Sequence, residues 1–417
     1  MNQKEIAENT ARRAKEASRS AAELSTSQKN GVLASIAEGL VSGTAEILKA
    51  NVIDVENARA SGQSDAFIDR LTLTPERIKN IASAVKDIIQ LEDPVGNIEK
   101  MITRPSGIRV GRMRVPVGVV MVIYESRPNV TIDIASLCVK SGNAAILRGG
   151  KESLQSNLAL HAIVKNALSD NGFSSEIIQL VDNPDREILN ALLKMNSYID
   201  IVVPRGGRGL ITAVTEQSTI PVIKHDKGVC HTFVDRSAKK DMAERIAINA
   251  KVQRPGVCNA METLLVHKDY PYAKELFQSL LDMNVELRGC GRSISLIPGR
   301  IKPAVDEDWG TEYEALILSV KIVDDMDQAI RHIHTYGSGH SEAIVTEDYS
   351  NAQAFLRKVD SAAVMVNAST RFHDGGELGL GAEVGISTQK LHARGAMGIE
   401  GLTCLKFVVY GQGEVRK

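Results

Sequence analysis

The stretch Val117-Gly118-Val119-Val120-Met121-Val122-Ile123-Tyr124 decides how this chain is read. It is a continuous apolar run, the pattern expected of a strand covered on both faces. The wider apolar window, 115–124, falls far short of the roughly 20 residues a helix needs to cross a bilayer. Downstream the pattern alternates. Residues 131–140 predict a helix closed by Gly142-Asn143, 144–147 a strand, and 151–170 a helix ending at Asn171-Gly172. A strand over 177–181, a helix over 186–193 and a strand over 199–203 follow. Such repeated alternation of strand and helix implies a parallel, doubly wound sheet.

Upstream, 98–115 alternates polar and apolar residues around Pro105-Ser106-Gly107, which predicts a two-stranded hairpin ending at Pro116 and Gly118. Residues 1–92 read as helices, with apolar residues on one face of 47–55 and again over 83–91 before Pro94. Near Cys230 the α/β pattern restarts. Strands are expected at 232–234, 263–267, 285–287, 317–323, 341–346 and 363–367, and helices at 238–251, 274–282, 326–333 and 351–358. The tail is rich in glycine over 375–401 and ends in an apolar strand, 404–410.

Composition narrows the function. At roughly 100–200 residues per domain, 417 residues suggest two or three domains with ample core. Hydrophobic residues at 43% and charged residues at 24% exclude disorder as the default state. Lys plus Arg number 50 against 51 Asp plus Glu, a balance that argues against a nucleic-acid-coating protein. With 4% aromatic residues, a base-stacking surface is not expected either. The polar N-terminus shows no secretory signal. Five widely spaced cysteines, with no CxxC pair, read as reduced thiols in a cytoplasmic protein, without a disulfide frame or zinc site.

Three segments carry candidate chemistry. Val203-Pro204-Arg205-Gly206-Gly207-Arg208 and Leu147-Arg148-Gly149-Gly150-Lys151-Glu152 are both strand–turn–helix junctions with cationic side chains. Free N–H groups at a helix start favour phosphate, so the pair suits a nucleotide; either alone fits an ordinary connection with solvated charges. Gln253-Arg254-Pro255-Gly256-Val257-Cys258-Asn259-Ala260 sets a thiol after a Pro-Gly turn and before a helix-like stretch. A helix N-terminus lowers a thiol pKa; a buried, inert cysteine is the competing reading. His332 and His334 stand two apart on an expected helix and do not share a face, so they and His340 read as surface or cap residues. Asp324-Asp325 and Asp306-Glu307-Asp308 read as solvated acidic stretches.

Taken together these segments resemble the aldehyde dehydrogenase superfamily across nearly the whole chain, and within it the branch that reduces γ-glutamyl phosphate to glutamate 5-semialdehyde. The carriers are Val115-Pro116-Val117-Gly118-Val119-Val120, Tyr124-Glu125-Ser126-Arg127-Pro128-Asn129-Val130, the two turns, the Cys258 segment, Trp309-Gly310-Thr311-Glu312-Tyr313, Val366-Asn367-Ala368-Ser369-Thr370-Arg371-Phe372 and Gly376-Glu377-Leu378-Gly379-Leu380-Gly381. The resemblance implies an α/β, aldehyde-dehydrogenase-like fold with two doubly wound α/β domains and a small β oligomerisation element. Residues 1–97 and 116–229 are expected to form the cofactor-binding domain, 230–362 the catalytic domain, and 98–115 with 382–417 the oligomerisation element.

It also implies roles. Cys258 matches the nucleophile, and Asn129 the side-chain donor to the oxyanion, with the Cys258 N–H as second donor. Arg148 and Lys151 fall at the adenosine ribose, Gly206 and Gly207 near the pyrophosphate, and Glu312 at the nicotinamide ribose. The implied cofactor is NADP(H), although Glu152 would repel a 2′-phosphate that Arg148 and Lys151 must offset. Arg254 and Arg371 are candidate partners for the substrate α-carboxylate and Glu377 for its amine; structural ion pairs are the alternative. Hydrolytic relatives carry Glu-Leu-Gly-Gly where this chain has His225-Asp226-Lys227-Gly228. Loss of that water-activating Glu suits an acyl-phosphate reductase, and equally a CoA-acylating aldehyde dehydrogenase. A non-catalytic binding protein on the same fold is a third reading. A homo-oligomer is expected, with contact to the preceding glutamate kinase left open, and neither nucleic acid nor membrane as partner.

Overall fold

The computed structural model describes residues 2–225 and 227–416. They form two compact units, one of Met1–Lys224, Gly379–Gly385 and Met397–Lys417, the other of His225–Leu378 and Ile386–Ala396. The division after Lys224 falls near the expected 229/230 boundary, and residues 386–396 of the tail run with the second unit.

In the first unit four parallel strands lie in the order Ile178–Leu180, Ala144–Arg148, Val119–Tyr124, Ile201–Arg205. Every residue of Val119–Tyr124 is buried, as its unbroken apolar run demands. Helix Gln3–Ala22 lays Ala7, Ala11 and Ala14, one helical face of small side chains, against Val119, Met121 and Ile146. Its start is fixed by a capping box between Asn2 and Glu5. Gly118 makes the entry to the central strand. Its φ is +127°, and a Cβ there would stand 2.2 Å from Asp200 Oδ2. That carboxylate accepts the Val119 N–H at 2.8 Å and pairs with Lys15 at 2.9 Å.

The hairpin forms as read, Ile98–Thr103 against Arg109–Pro116. The tail strand Thr403–Tyr410 adds to it antiparallel, from Thr403 opposite Pro116 to Tyr410 opposite Arg109, giving a three-stranded sheet within one chain. Asn143 ties this tail to the core through its Nδ2, which donates to Leu402 O at 2.9 Å.

The second unit holds seven parallel strands, ordered Lys302–Pro303, Glu286–Gly289, Ile317–Val323, Met261–His267, Cys230–Val234, Ser341–Val345, Ala363–Val366. Helices cover both faces. Leu264, Val266 and Val320 pack with Phe277 on one side, and Phe233, Leu265 and Ile344 with Phe355 on the other. Two local expectations fail here. The stretch after Cys258 is a turn that leads into strand Met261–His267. Asn259 is the reason. Its carbonyl accepts the Thr370 hydroxyl at 2.7 Å and its Nδ2 donates to His373 O at 3.0 Å, a pinned geometry that a helix would break. Asp308, expected in solvent, is buried and pairs with Arg288 at 2.8 Å and with the Tyr313 hydroxyl at 2.9 Å.

Candidate active site

The first unit contains a pocket of about 650 Å³. It opens at the carboxyl ends of the strands. Tyr124 ends the central strand, Glu125 and Ser126 follow it, and Arg148 ends its neighbour. Strand order reverses between Val119–Tyr124 and Ile201–Arg205, the point where open α/β sheets bind ligands. Arg148 is braced by the Gly149 and Pro184 carbonyls, each at 2.9 Å. Burial lowers its pKa, Glu152 opposes that, and Arg186 adds to it. Arg186 also lines the pocket, which gives two guanidiniums one face. Lys151 is exposed in a 3-10 turn and is not among the lining residues. Glu152 lines the pocket and accepts the Ser126 hydroxyl at 2.9 Å.

At the Gly206-Gly207 turn the carboxylate alongside is the protein's own. The Gly207 N–H donates to Glu125 Oε1 at 2.5 Å, and a Cβ on Gly206 would meet Glu125 Cγ at 2.6 Å. A pyrophosphate would have to displace this carboxylate. Asn129 opens helix Asn129–Lys140, where its Nδ2 donates to Asp133 Oδ2 at 2.9 Å. Burial pushes the Asp133 carboxyl up to about 6, against the Asn129 hydrogen bond and the charge of Arg205.

In the second unit Cys258 is part-exposed, in the turn ahead of Met261–His267. His225 precedes strand Cys230–Val234, and His340 precedes Ser341–Val345, so all three stand at the amino ends of neighbouring strands. The Cys258 Sγ and one ring nitrogen from each histidine lie within 4.8 Å of one another. His225 Nδ1 is 3.1 Å from Ile386 O. A carbonyl only accepts, so this contact assigns the proton to Nδ1 and the lone pair to Nε2. His340 is fully buried, and desolvation holds it well below the usual imidazole range. Its Nδ1 meets Ser341 Oγ at 2.7 Å, which in turn meets His373 Nδ1 at 2.8 Å. His340 and His332 are therefore core residues, contrary to the surface role read for them; His332 packs edge-on against Trp309.

Gly228 lets this site close. A Cβ there would stand 2.1 Å from Cys258 O and 2.6 Å from Glu312 Oε1, so glycine brings Glu312 and the Cys258 backbone to one point. Asp226, between His225 and Gly228 in the replaced Glu-Leu-Gly-Gly stretch, lies outside the described residues. Cys230 donates to Cys258 O at 3.1 Å; burial raises its thiol far above the ordinary value and keeps it protonated.

Arg371 is anchored through Nε to Gln253 Oε1 at 2.8 Å and through a second nitrogen to Asn259 Oδ1. Burial lowers its pKa; Asp374, Cys258 and Glu377 act against that, and Arg254 with it. Arg254, Glu377 and Cys258 are thus each within electrostatic reach of Arg371, although much of the Arg371 fork is already engaged. Sequence reasoning missed Arg186, Asp133 and the two imidazoles beside Cys258. Of these only Asp133, four residues after Asn129 on one helix, carried a local signal.

The sequence pattern of the aldehyde dehydrogenase family matches residues 1–288. Among curated proteins, the γ-glutamyl phosphate reductase of Thermodesulfovibrio yellowstonii is 51% identical over 100% of both chains. That of Caldanaerobacter subterraneus is 52% identical over 98% of this chain and 99% of its own. The crystal structure of γ-glutamyl phosphate reductase from Thermotoga maritima superposes with a TM-score of 0.95 at 44% identity, covering 99% of this chain and 100% of that one. The chain belongs to the aldehyde dehydrogenase family, in the branch formed by these reductases.

Proposed function

We propose that this protein reduces γ-glutamyl phosphate to glutamate 5-semialdehyde with release of phosphate, as a step of proline biosynthesis, through a thioester on Cys258. The observation that carries this reading is a part-exposed thiol with two imidazoles beside it, at a position where the hydrolytic Glu is replaced by His225.

The Cys258 thiolate attacks the acyl carbon and phosphate leaves. Phosphate is a good leaving group, so this step needs little acid catalysis. His225 Nε2 is the base that takes the thiol proton. The thioester then accepts hydride at the same carbon, and the thiohemiacetal collapses to the aldehyde and frees the thiolate. Both tetrahedral species carry charge on oxygen, which the Asn129 amide and the Cys258 N–H stabilise. Asp133 holds one amide hydrogen of Asn129, which fixes the orientation of the other.

A nicotinamide cofactor fits the first unit, because a pocket at a sheet's switch point is lined by four arginines, Arg148 and Arg186 among them. When bound it supplies the hydride. Arg148 and Arg186 are the partners proposed for the 2′-phosphate of NADP(H), with Lys151 adding charge at the rim. Glu152, engaged by Ser126, is directed to the ribose. Glu312 is assigned to the nicotinamide ribose, and Arg254, Arg371 and Glu377 to the α-carboxylate and amine of the substrate.

The test is oxidation of glutamate 5-semialdehyde with and without inorganic phosphate, with each cofactor. Turnover should require phosphate and favour NADP. Cys258→Ser should lose nearly all of it, since a hydroxyl is a poor nucleophile at neutral pH. Turnover that ignores phosphate but responds to CoA would transfer the reading to the acylating class.

A further inference from the structure

We propose that Cys258, His225 and His340 form a binding site for a thiophilic divalent cation, with Zn²⁺ the best match, and that occupancy reversibly silences the thiol. The donors are one sulfur and two imidazole nitrogens, mutually within 4.8 Å. Three protein ligands with an open fourth position are a recurrent zinc arrangement, and thiolate with imidazole selects zinc over magnesium or calcium. Zn–S of about 2.3 Å and Zn–N of about 2.0–2.1 Å put tetrahedral donors roughly 3.3–3.7 Å apart. Side-chain rotation of about 1 Å therefore closes the site.

Two further observations point to a ligand. His340 Nε2 is buried and has no hydrogen-bond partner among the described residues. His225 Nδ1 faces the Ile386 carbonyl at 3.1 Å, and metal-bound histidines use such a carbonyl on the second nitrogen to fix the ring. Ser341 Oγ supplies the corresponding outer contact on His340 Nδ1, and His373 Nδ1 in turn holds that hydroxyl. Binding replaces the Cys258 S–H by S–Zn, and that proton passes to solvent. Nothing is oxidised or reduced. Cys230, at 3.8 Å from His340 Nδ1, is the neighbouring thiol; its burial and its bond to Cys258 O leave it outside the ligand set.

The loss of activity rests on Cys258 as nucleophile; the binding does not. The full chain, stripped with a chelator, would be titrated with Zn²⁺ by calorimetry and with Co²⁺ by absorbance. One ion per chain is expected, with a near-ultraviolet thiolate-to-cobalt band, inhibition by Zn²⁺ and recovery on chelation. Loss of an outer-shell partner of a metal site costs about 10–100-fold in affinity, so removal of a ligand should exceed about 100-fold. That loss is expected in Cys258→Ser, in His340→Ala and in His225→Ala. Position 225 is part-exposed, so its variant folds even if the buried one does not. Unchanged Zn²⁺ affinity in His225→Ala, or a cobalt complex without the thiolate band, overturns the site. Zn²⁺ binding that vanishes in the variants while Cys258→Ser still turns over would instead refute the thioester reading alone.

Discussion

At Asn129 the side-chain amide donates one hydrogen to the Asp133 carboxylate, and the other is the one proposed to meet the substrate oxyanion. Asp133→Asn scrambles that donor orientation. We expect kcat to fall by tenfold or more, within the roughly 10²–10³ that loss of a whole oxyanion donor costs, with a smaller change in KM. The same substitution has a signature in stability. The native carboxyl titrates near 6, above the usual carboxylate value, because burial disfavours its charge. Between those values the folded chain holds a proton the unfolded chain has released. Its stabilising share is therefore complete at low pH and lost as pH rises through about 6. Melting curves should favour Asp133→Asn over the native protein more at about pH 7 than at about pH 4. Arg186 supplies a second test at this scale. Arg186→Ala should raise KM for NADP several-fold and leave KM for NAD nearly unchanged; equal rises would remove Arg186 from the 2′-phosphate site.

At the scale of elements, helix Lys240–Val252 and strand Met261–His267 are joined by a buried ion pair, Lys251 Nζ to Glu262 Oε2 at 2.5 Å. Burial pushes Glu262 up to about 7 even though Lys251 pulls it down, and its Oε1 has no partner among the described residues. Removing one member strands the other. Lys251→Met should cost about 3–5 kcal/mol in urea unfolding, and the Lys251→Met, Glu262→Leu double variant should regain most of it. The entry to the central strand is the other sensitive joint. Gly118→Ala meets a left-handed backbone and the Asp200 carboxylate together, and should lose about 1–3 kcal/mol or more by thermal unfolding. The two junctions were legible in different degrees. The glycine was visible as punctuation in the sequence; Asp200, the carboxylate it accommodates, lies on a distant loop and was not.

For the whole molecule, the three-stranded sheet ends in an open edge. Thr403–Tyr410 pairs on one side only, and Phe407 at 72%, Val409 at 57% and Tyr410 at 53% exposure sit along it. An exposed apolar edge strand invites pairing with another chain. We expect a homo-oligomer in light scattering, and Phe407→Asp combined with Val409→Asp should shift the mass toward the 45.2 kDa of one chain. No single helix among the described residues is long and apolar enough to cross a membrane.

The apolar runs determined the two parallel sheets, because a strand buried on both faces has no polar position to spare, and they did so within a few residues at each end. The hairpin was legible through alternation, and the tail strand as an apolar run. Tertiary structure alone decided what surrounds Cys258. Its neighbours His225 and His340 precede strands that are adjacent in space and far apart in sequence, and no local period records which strand lies beside which. The same pairing overrode the helix expected after Cys258, since Asn259 is held by residues more than 100 positions away. A thiol's surroundings are set by sheet order, and sheet order is settled by packing of the whole core.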